Sequence, residues 1–300
     1  MPICWFSSCC TLCCLCEAMK PKLIALDIDG TILDMAEGIS VPDAVRDAVN
    51  EARANGVRVC LCSSRPCFYM EDALKDLDGI DALIGCSGGA IEVLDEPTES
   101  SSENIHGNIH RNIYRNIYRD PMQMPMLRAC IEVAKKYGLY VSFAGEDKII
   151  ARKKGFVEHG LENDPFFAFL EGDALLGALG GTIVSCAFVY TKPHTPEWAV
   201  PREPGLENAN VQRSSEYCYI ITGEGVDKGA GLMRLAGYWG IPREAVLAIG
   251  NDENDVPMLQ AAGLGVVVAN ANPDVFAFAD WIAPDVRQGG AAAAIRRFAL

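Results

Sequence analysis

Asp27 and Asp29 stand two residues apart in Leu26-Asp27-Ile28-Asp29-Gly30-Thr31-Ile32-Leu33. On an extended chain, acids at i and i+2 project to the same side. Two carboxylates gathered at one strand end are costly to desolvate unless a cation compensates them. The apolar run Lys22–Ile28 reads as a buried strand, and Gly30 lets the chain turn away at once. The pair therefore falls at the carboxyl edge of an α/β sheet, where such folds bind ligands. An isolated Asp-x-Asp-Gly is also a common turn, so its partners elsewhere in the chain decide its meaning.

Three further constellations supply partners. In Cys62-Ser63-Ser64-Arg65-Pro66, a hydroxyl precedes a helix start, which makes an anion site. Ser63 can donate to a phosphate oxygen, although serine also caps helices. Lys228 opens a helix in Gly225-Val226-Asp227-Lys228-Gly229. A lysine opposes the helix dipole there, which suits an anionic partner; alone, a solvated surface lysine is the plainer account. Ile249-Gly250-Asn251-Asp252-Glu253-Asn254-Asp255 crowds oxygen ligands onto one loop. That suits Mg²⁺, which takes one or two carboxylates plus water and phosphate. Asn254 or Asp255 can also cap the following helix.

The elements that position these loops alternate. Strands are expected at Lys22–Ile28, Val57–Cys62 and Ala82–Gly85. Helices are expected from Pro42 to Gly56, with Val45, Ala48, Val49 and Ala52 on one face, and from Pro66 to about Leu77. This order means a parallel sheet with right-handed crossovers. The pattern then breaks into a Ser/Glu-rich stretch and a four-residue repeat, Asn104-Ile105-His106-Gly107 through Asn116-Ile117-Tyr118-Arg119. A period of four fits a surface loop whose last copy runs into a strand of an inserted domain. His106 and His110, four apart, have no acid or cysteine beside them to complete a metal site. Met126–Tyr137 reads as an amphipathic helix, with strands at Leu139–Phe143, Lys148–Ala151 and Gly181–Tyr190. The prolines between Pro193 and Pro204 mark a long connection. The α/β alternation resumes at Tyr217–Thr222: helix Lys228–Trp239, strand Ala245–Ile249, helix Asn254–Ala262, strand Gly265–Val268 and a last helix. One discontinuous core, 19–92 plus 215–300, is therefore expected around an α+β insert at 93–214, behind a tail at 1–18.

The four loops, in this order, resemble the motifs of the haloacid dehalogenase superfamily of phosphatases. Asn254-Asp255-Val256-Pro257-Met258-Leu259, then Gly265-Val266-Val267-Val268-Ala269-Asn270-Ala271 and Ala279-Asp280, resemble its Cof-type branch. The likeness covers the core on both sides of the insert. It implies a Rossmann-like parallel-sheet core with a C2-type α+β cap, and a Mg²⁺-dependent phosphatase for small phosphorylated metabolites such as sugar phosphates. By position, Asp27 would be the nucleophile that forms an aspartyl-phosphate. Asp29 would be the general acid and then base. Thr31, Ser63 and Lys228 would hold the phosphate, with Asn254 and Arg65 in support. Asp27, the Asp29 carbonyl, Asn251, Asp252 and Asp255 would serve the metal. Asn251 stands where the family has an acid, which removes one negative charge. Gly88 stands where asparagine is expected, and Ser64 where glycine is usual. A catalytically weak phosphometabolite-binding protein and a phosphotransferase are the alternative readings.

Composition sets limits. The net charge of −14 argues against nucleic-acid backbones, which need dense lysine and arginine. No apolar run reaches the roughly 18–20 residues of a membrane span. Six of the 13 cysteines crowd positions 4 to 16, without a second pair at zinc spacing, a basic start or a small-residue cleavage site. A dispensable tail is expected there, with Met19 as a possible start; lipidation or metal binding is the sharper reading. The seven others lie in apolar surroundings, as reduced cysteines of a cytoplasmic protein do. Nothing in the sequence fixes an oligomeric state.

Overall fold

The computed structural model describes residues 20–34, 40–77, 79–95, 114–152, 164–179, 181–189, 203–215 and 218–300. The cysteine tract and Met19, with His106, His110 and most of the repeat, lie outside the described residues.

The first half of the core contains β1 (Leu23–Leu26), helix α1 (Asp43–Ala54), β2 (Arg58–Cys62), the short α2 (Glu71–Leu74), β3 (Ala82–Gly85), β4 (Ala90–Leu94) and β5 (Tyr114–Arg119). The chain then builds a second sheet. Its elements are α3 (Met124–Tyr137), β6 (Tyr140–Ala144), β7 (Ile149–Arg152), β8 (Phe167–Leu170), α4 (Gly172–Ala178), β9 (Ser185–Val189), β10 (Asn210–Ser215) and β11 (Cys218–Thr222). It returns as α5 (Lys228–Tyr238), β12 (Val246–Gly250), α6 (Val256–Ala261), β13 (Leu264–Val268), β14 (Trp281–Ala283) and α7 (Gly290–Phe298).

The core sheet runs β14-β13-β12-β1-β2-β3-β4-β5, parallel through β3 and antiparallel over its last two pairs. Every residue of β1 and β12 is buried. That explains their near-continuous apolar sequences, because helices cover both faces of a parallel sheet. On α1 the inward residues are Val45, Ala48, Val49 and Ala52, spaced as one helical face. Full burial of each large aliphatic side chain contributes about 2 kcal/mol, so the two central strands make a stiff base for the loops at their ends.

The second sheet runs β10-β11-β9-β6-β7-β8. Its strands alternate. Val141, Phe143, Cys186 and Phe188 pack in one cluster with Leu127, Ile131 and Leu175 of α3 and α4. The intervening Ser142, Ala144, Ser185 and Ala187 line a cavity beside Asp29 and Arg65.

The expected domain boundaries do not follow the sheets. Tyr114–Arg119, read as the entry to the insert, pairs antiparallel with β4 from Leu94↔Tyr114 to Ala90↔Arg119. Tyr114 and Ile117 pack on core clusters, and the Tyr114 hydroxyl donates to the Ile80 carbonyl at 2.9 Å. Cys218–Thr222, within the run 217–222 read as the returning core strand, pairs instead with β9 and β10, and buries Tyr219 and Ile221 in the second sheet's cluster. The chain thus leaves the core sheet after Arg119 and rejoins it after Thr222. At the return, the Val226 carbonyl accepts from Asn210 Nδ2 at 2.6 Å, Thr222 Oγ1 at 2.7 Å and Gln212 Nε2 at 3.3 Å.

The helix expected from Pro66 to Leu77 is also divided. A 3₁₀ turn, Cys67–Tyr69, precedes α2. The break aims Phe68 and Tyr69 at Phe166 of the insert, with ring centroids 5.4 and 5.6 Å apart. The Tyr69 hydroxyl donates to Asp164 at 2.7 Å. Among the described residues, no helix is long and apolar enough to cross a membrane.

Candidate active site

Asp27 directly follows β1, and its N–H extends the ladder to the Ile249 carbonyl at 3.0 Å. The chain then folds back on itself: Ile32 and Leu33 donate to the Ile28 carbonyl, and Gly30 donates to that of Leu33. This tight loop holds Asp27 at 4% exposure beside the end of β12.

Lys228 reaches the same point from across the sheet. Asp227 caps α5 by accepting from Ala230 N–H at 2.7 Å, which fixes Lys228 at the first helical position. Its side chain is fully buried, so the surface-lysine reading does not hold. The ammonium donates to Asp27 Oδ1 at 2.7 Å and to Asp255 Oδ1 at 2.5 Å. The other oxygen of Asp255 accepts from Asn251 N–H at 2.8 Å and Asp252 N–H at 3.1 Å. Asp255 therefore shapes its own loop and orients the lysine; both its oxygens are engaged, contrary to its expected place at the metal.

One ammonium thus serves two buried carboxylates. Burial first, and the Asp255 charge second, push Asp27 up to about 7 against the pull of Lys228. Burial alone would lower the Lys228 pKa, but Asp255 and Asp27 outweigh it and hold the lysine above its ordinary value. The site is short of positive charge, and a divalent cation beside Asp27 would restore the carboxylate.

The oxygens for such a cation converge on the far side of Asp27. The end of the Asn251 amide lies 3.0 Å from Asp27 Oδ2 and 3.1 Å from the Asp29 carbonyl oxygen. Octahedral Mg²⁺, with bonds of about 2.1 Å, sets neighbouring ligand oxygens roughly 3.0 Å apart. A carboxylate, a carbonyl and an amide oxygen therefore fit Mg²⁺ here. No group of three His, Cys, Asp or Glu side chains suited to a metal occurs among the described residues. Asp252 turns one oxygen to its own loop. Its Oδ1 caps the next turn through Glu253 N–H at 2.8 Å and accepts from Asn272 Nδ2 at 3.5 Å.

Thr31 donates to Asp27 Oδ2 at 3.0 Å. Ser63, 2% exposed at the end of β2, accepts from Arg65 N–H at 3.1 Å. Ser64 accepts from Asn254 Nδ2 at 2.7 Å and lies 2.9 Å from the Ser87 hydroxyl, which links three loops. Arg65 grips the Asp29 carboxylate with two bonds, Nε at 2.9 Å and Nη2 at 2.6 Å. Of these residues, Asp29, Ser64 and Arg65 line a cavity of about 260 Å³ between the two sheets. Its far wall includes Ser142, Ile149, Ser185, Ser214 and Ile220.

The haloacid dehalogenase-like hydrolase family matches residues 24–295. The chain belongs to that family. It is 25% identical to the putative phosphatase YxeH of Bacillus subtilis, across 93% of this chain and 98% of the relative. It is 22% identical to 5-amino-6-(5-phospho-D-ribitylamino)uracil phosphatase YitU of the same organism, across 84% and 87%. Among solved structures, the subclass IIB sugar phosphatase BT4131 aligns with TM-score 0.74 and 21% identity, over 92% of this chain and 98% of that one. The parallel-sheet core with an inserted α+β cap is the fold of these neighbours.

Two features of this hydrolase escape its motifs. The first is the turn after β3. Cys86 and Ser87 both have φ of 52°, and Gly88 has φ of 98°. Side chains rarely adopt this conformation, and its cost is maintained where surrounding structure demands it. A Cβ at Gly88 would stand 2.0 Å from the Asp227 carbonyl oxygen, so the asparagine of the family pattern has no room. Gly88→Asn is expected to destabilise the fold by about 3 kcal/mol, because backbone must move. Urea denaturation checks this, and an unchanged midpoint would contradict it. The second is the cap wall. It draws Ser142, Ala144 and Ile149 from β6 and β7, Ser185 and Ala187 from β9, and Ser214 and Ile220 from β10 and β11. Alternation along a β-strand could have found Ser142, since Phe143 faces the cap core.

Proposed function

We propose that this hydrolase releases phosphate from small phosphorylated metabolites, with Asp27 as nucleophile and Mg²⁺ as cofactor. The observation that carries the reading is the division of labour at Asp27. Its Oδ1 meets the buried Lys228 ammonium at 2.7 Å, while its Oδ2 turns to the Asn251 amide and Thr31. One oxygen is thus available to attack beside a cation that neutralises the phosphoryl oxygens. The other is available to the metal.

In the first half-reaction Asp27 Oδ1 forms a bond to phosphorus and the ester P–O bond breaks. The departing oxygen takes a proton from the Asp29 carboxylic acid. In the second, water attacks the phosphorus of the aspartyl-phosphate, gives its proton to Asp29, and frees Asp27 with inorganic phosphate. Proton delivery requires Asp29 to leave the fork of Arg65, since both its oxygens are engaged there. Thr31, Ser63 and Lys228 steady the transferring group. Asp27, the Asp29 carbonyl and Asn251 would hold Mg²⁺, which would supply charge compensation between nucleophile and phosphate.

The cavity supports a small leaving group without a second anionic group. Its charged lining residues are Asp29 and Arg65, already paired with each other. Hydroxyls of Ser142, Ser185 and Ser214 suit a neutral, hydroxylated molecule such as a sugar monophosphate. The phosphatase names of YxeH and YitU, and the sugar phosphatase activity named for BT4131, support the reaction class. A reducing, cytoplasmic compartment suits the seven described cysteines, all of them free.

The test is phosphate release from a panel of sugar phosphates, nucleotides, flavin mononucleotide and pyridoxal phosphate, with Mg²⁺ or with a chelator. Release that requires Mg²⁺ and is greatest on sugar monophosphates is the expected result. A panel that yields no phosphate in either condition would sink the reading.

A further inference from the structure

Asn251 carries more information than its place as a ligand. The end of its amide is pinned by three neighbours: Asp27 Oδ2 at 3.0 Å, Thr31 Oγ1 at 3.0 Å and the Asp29 carbonyl oxygen at 3.1 Å. A carboxylate and a carbonyl are acceptors only, and the hydroxyl has one proton. If the amide oxygen faces them without a cation, Thr31 must choose between Asn251 and Asp27 as acceptor, and the remaining oxygens repel. If the amide nitrogen faces them, its two protons reach Asp27 and the Asp29 carbonyl. Thr31 then gives its own proton to Asp27 Oδ2, and every group is satisfied. Each orientation therefore has one state of the site that it suits.

Exchange between them needs only a half-turn of the amide. The other end lies over Gly30, whose φ is +84°; a Cβ there would come within 2.3 Å of Asn251 Nδ2. Glycine leaves this space open for whichever end is turned back. A carboxylate at 251 has no second face. It would set a further negative charge against Asp27 while Lys228 remains the one ammonium shared by Asp27 and Asp255. Leaving buried charges uncompensated costs several kcal/mol, so an aspartate site depends on its cation for order.

We propose that Asn251 is a two-faced ligand. Its nitrogen bridges Asp27 and the Asp29 carbonyl in the cation-free protein, and its oxygen turns inward when a divalent cation binds. This rests on the Mg²⁺ reading above. The amide makes the cation-free loop self-sufficient and weakens cation binding relative to a carboxylate.

The test compares the full chain with Asn251→Asp, using MgCl₂ as the only ligand. Calorimetric titration is expected to give the variant about tenfold tighter Mg²⁺ binding, or more, which corresponds to about 1.4 kcal/mol. In chelator the variant is expected to melt below the native chain, and Mg²⁺ is expected to raise its melting temperature more. A ¹⁵N-asparagine spectrum of the native chain is expected to show the Asn251 side-chain amide hydrogen-bonded in chelator and shifted at saturating Mg²⁺. That spectrum decides the matter even if the variant fails to fold: an Asn251 amide signal unmoved by Mg²⁺ overturns the proposal. Equal Mg²⁺ affinity and equal melting of the two proteins overturn it as well. In that case Mg²⁺-dependent phosphate release, measured separately, still stands; absence of Mg²⁺ binding by the native chain removes both.

Discussion

Asp27→Asn is expected to lower phosphate release by about four orders of magnitude or more, a barrier increase of roughly 5.5 kcal/mol. An amide has neither the charge nor the available oxygen lone pair to form the acyl phosphate. No neighbouring carboxylate can replace it. Both oxygens of Asp255 are engaged by Lys228 and two backbone N–H groups, and Asp29 is gripped by Arg65. The same change should leave the fold intact. Asparagine has nearly the volume of aspartate, and it removes one of two buried carboxylates that crowd a single ammonium. The melting temperature in chelator is therefore expected not to fall. Full turnover by the variant would eliminate Asp27 as nucleophile. Lost turnover together with lost folding would mean that Asp27 is structural.

Lys228→Met is expected to produce the opposite separation, with a loss of about 3–5 kcal/mol in stability as well as loss of activity. Lys228, Asp27 and Asp255 form a buried cluster in which the lysine is the cation of both ion pairs. Methionine fills the space but leaves the carboxylates facing each other. A second substitution tells charge from packing. Asp255→Asn keeps an oxygen to accept from the Asn251 and Asp252 N–H groups while removing one charge. The double variant Lys228→Met/Asp255→Asn is therefore expected to regain part of the lost stability. Urea denaturation in chelator measures both proteins. A single variant as stable as the native chain would show that the ammonium is not what holds the two acids together.

What was legible in the sequence was what is local. Asp27, Ser63, Lys228 and Asn251 each follow a strand or begin a helix, so short-range patterning was enough to locate their loops at one sheet edge. Their order along the chain identified the family. What was not legible is membership of a sheet. Cys218–Thr222 is a five-residue run, apolar but for Thr222 and buried almost throughout, and reads like any core strand. Its partners, β9 and β10, are fixed by tertiary packing around Tyr219 and Ile221. Tyr114–Arg119 was hidden for a similar reason, since its repeat has a period that matches no strand while its pairing with β4 lies outside the repeat. The roles of Asp252 and Asp255 were also beyond reach. Sequence shows that acids occur on the loop, but not that one oxygen of Asp255 takes two backbone donors and one of Asp252 caps the next turn.

The insertion of one sheet within the other also sets an order of events during folding. Asp27 and Lys228 are 201 residues apart in the chain, and β1 pairs with β12 across a similar span. Synthesis therefore presents β1 with one edge unpaired until the whole second sheet has been made. Contacts at such separation must first overcome the entropy of closing a long loop, which slows folding. The second sheet, completed by its own strands β6 to β11, can form before that closure. Asp27 would then meet the Lys228 ammonium among the last contacts made, after the second sheet is already built. Until that step the unpaired edge of β1 is open to wrong pairing.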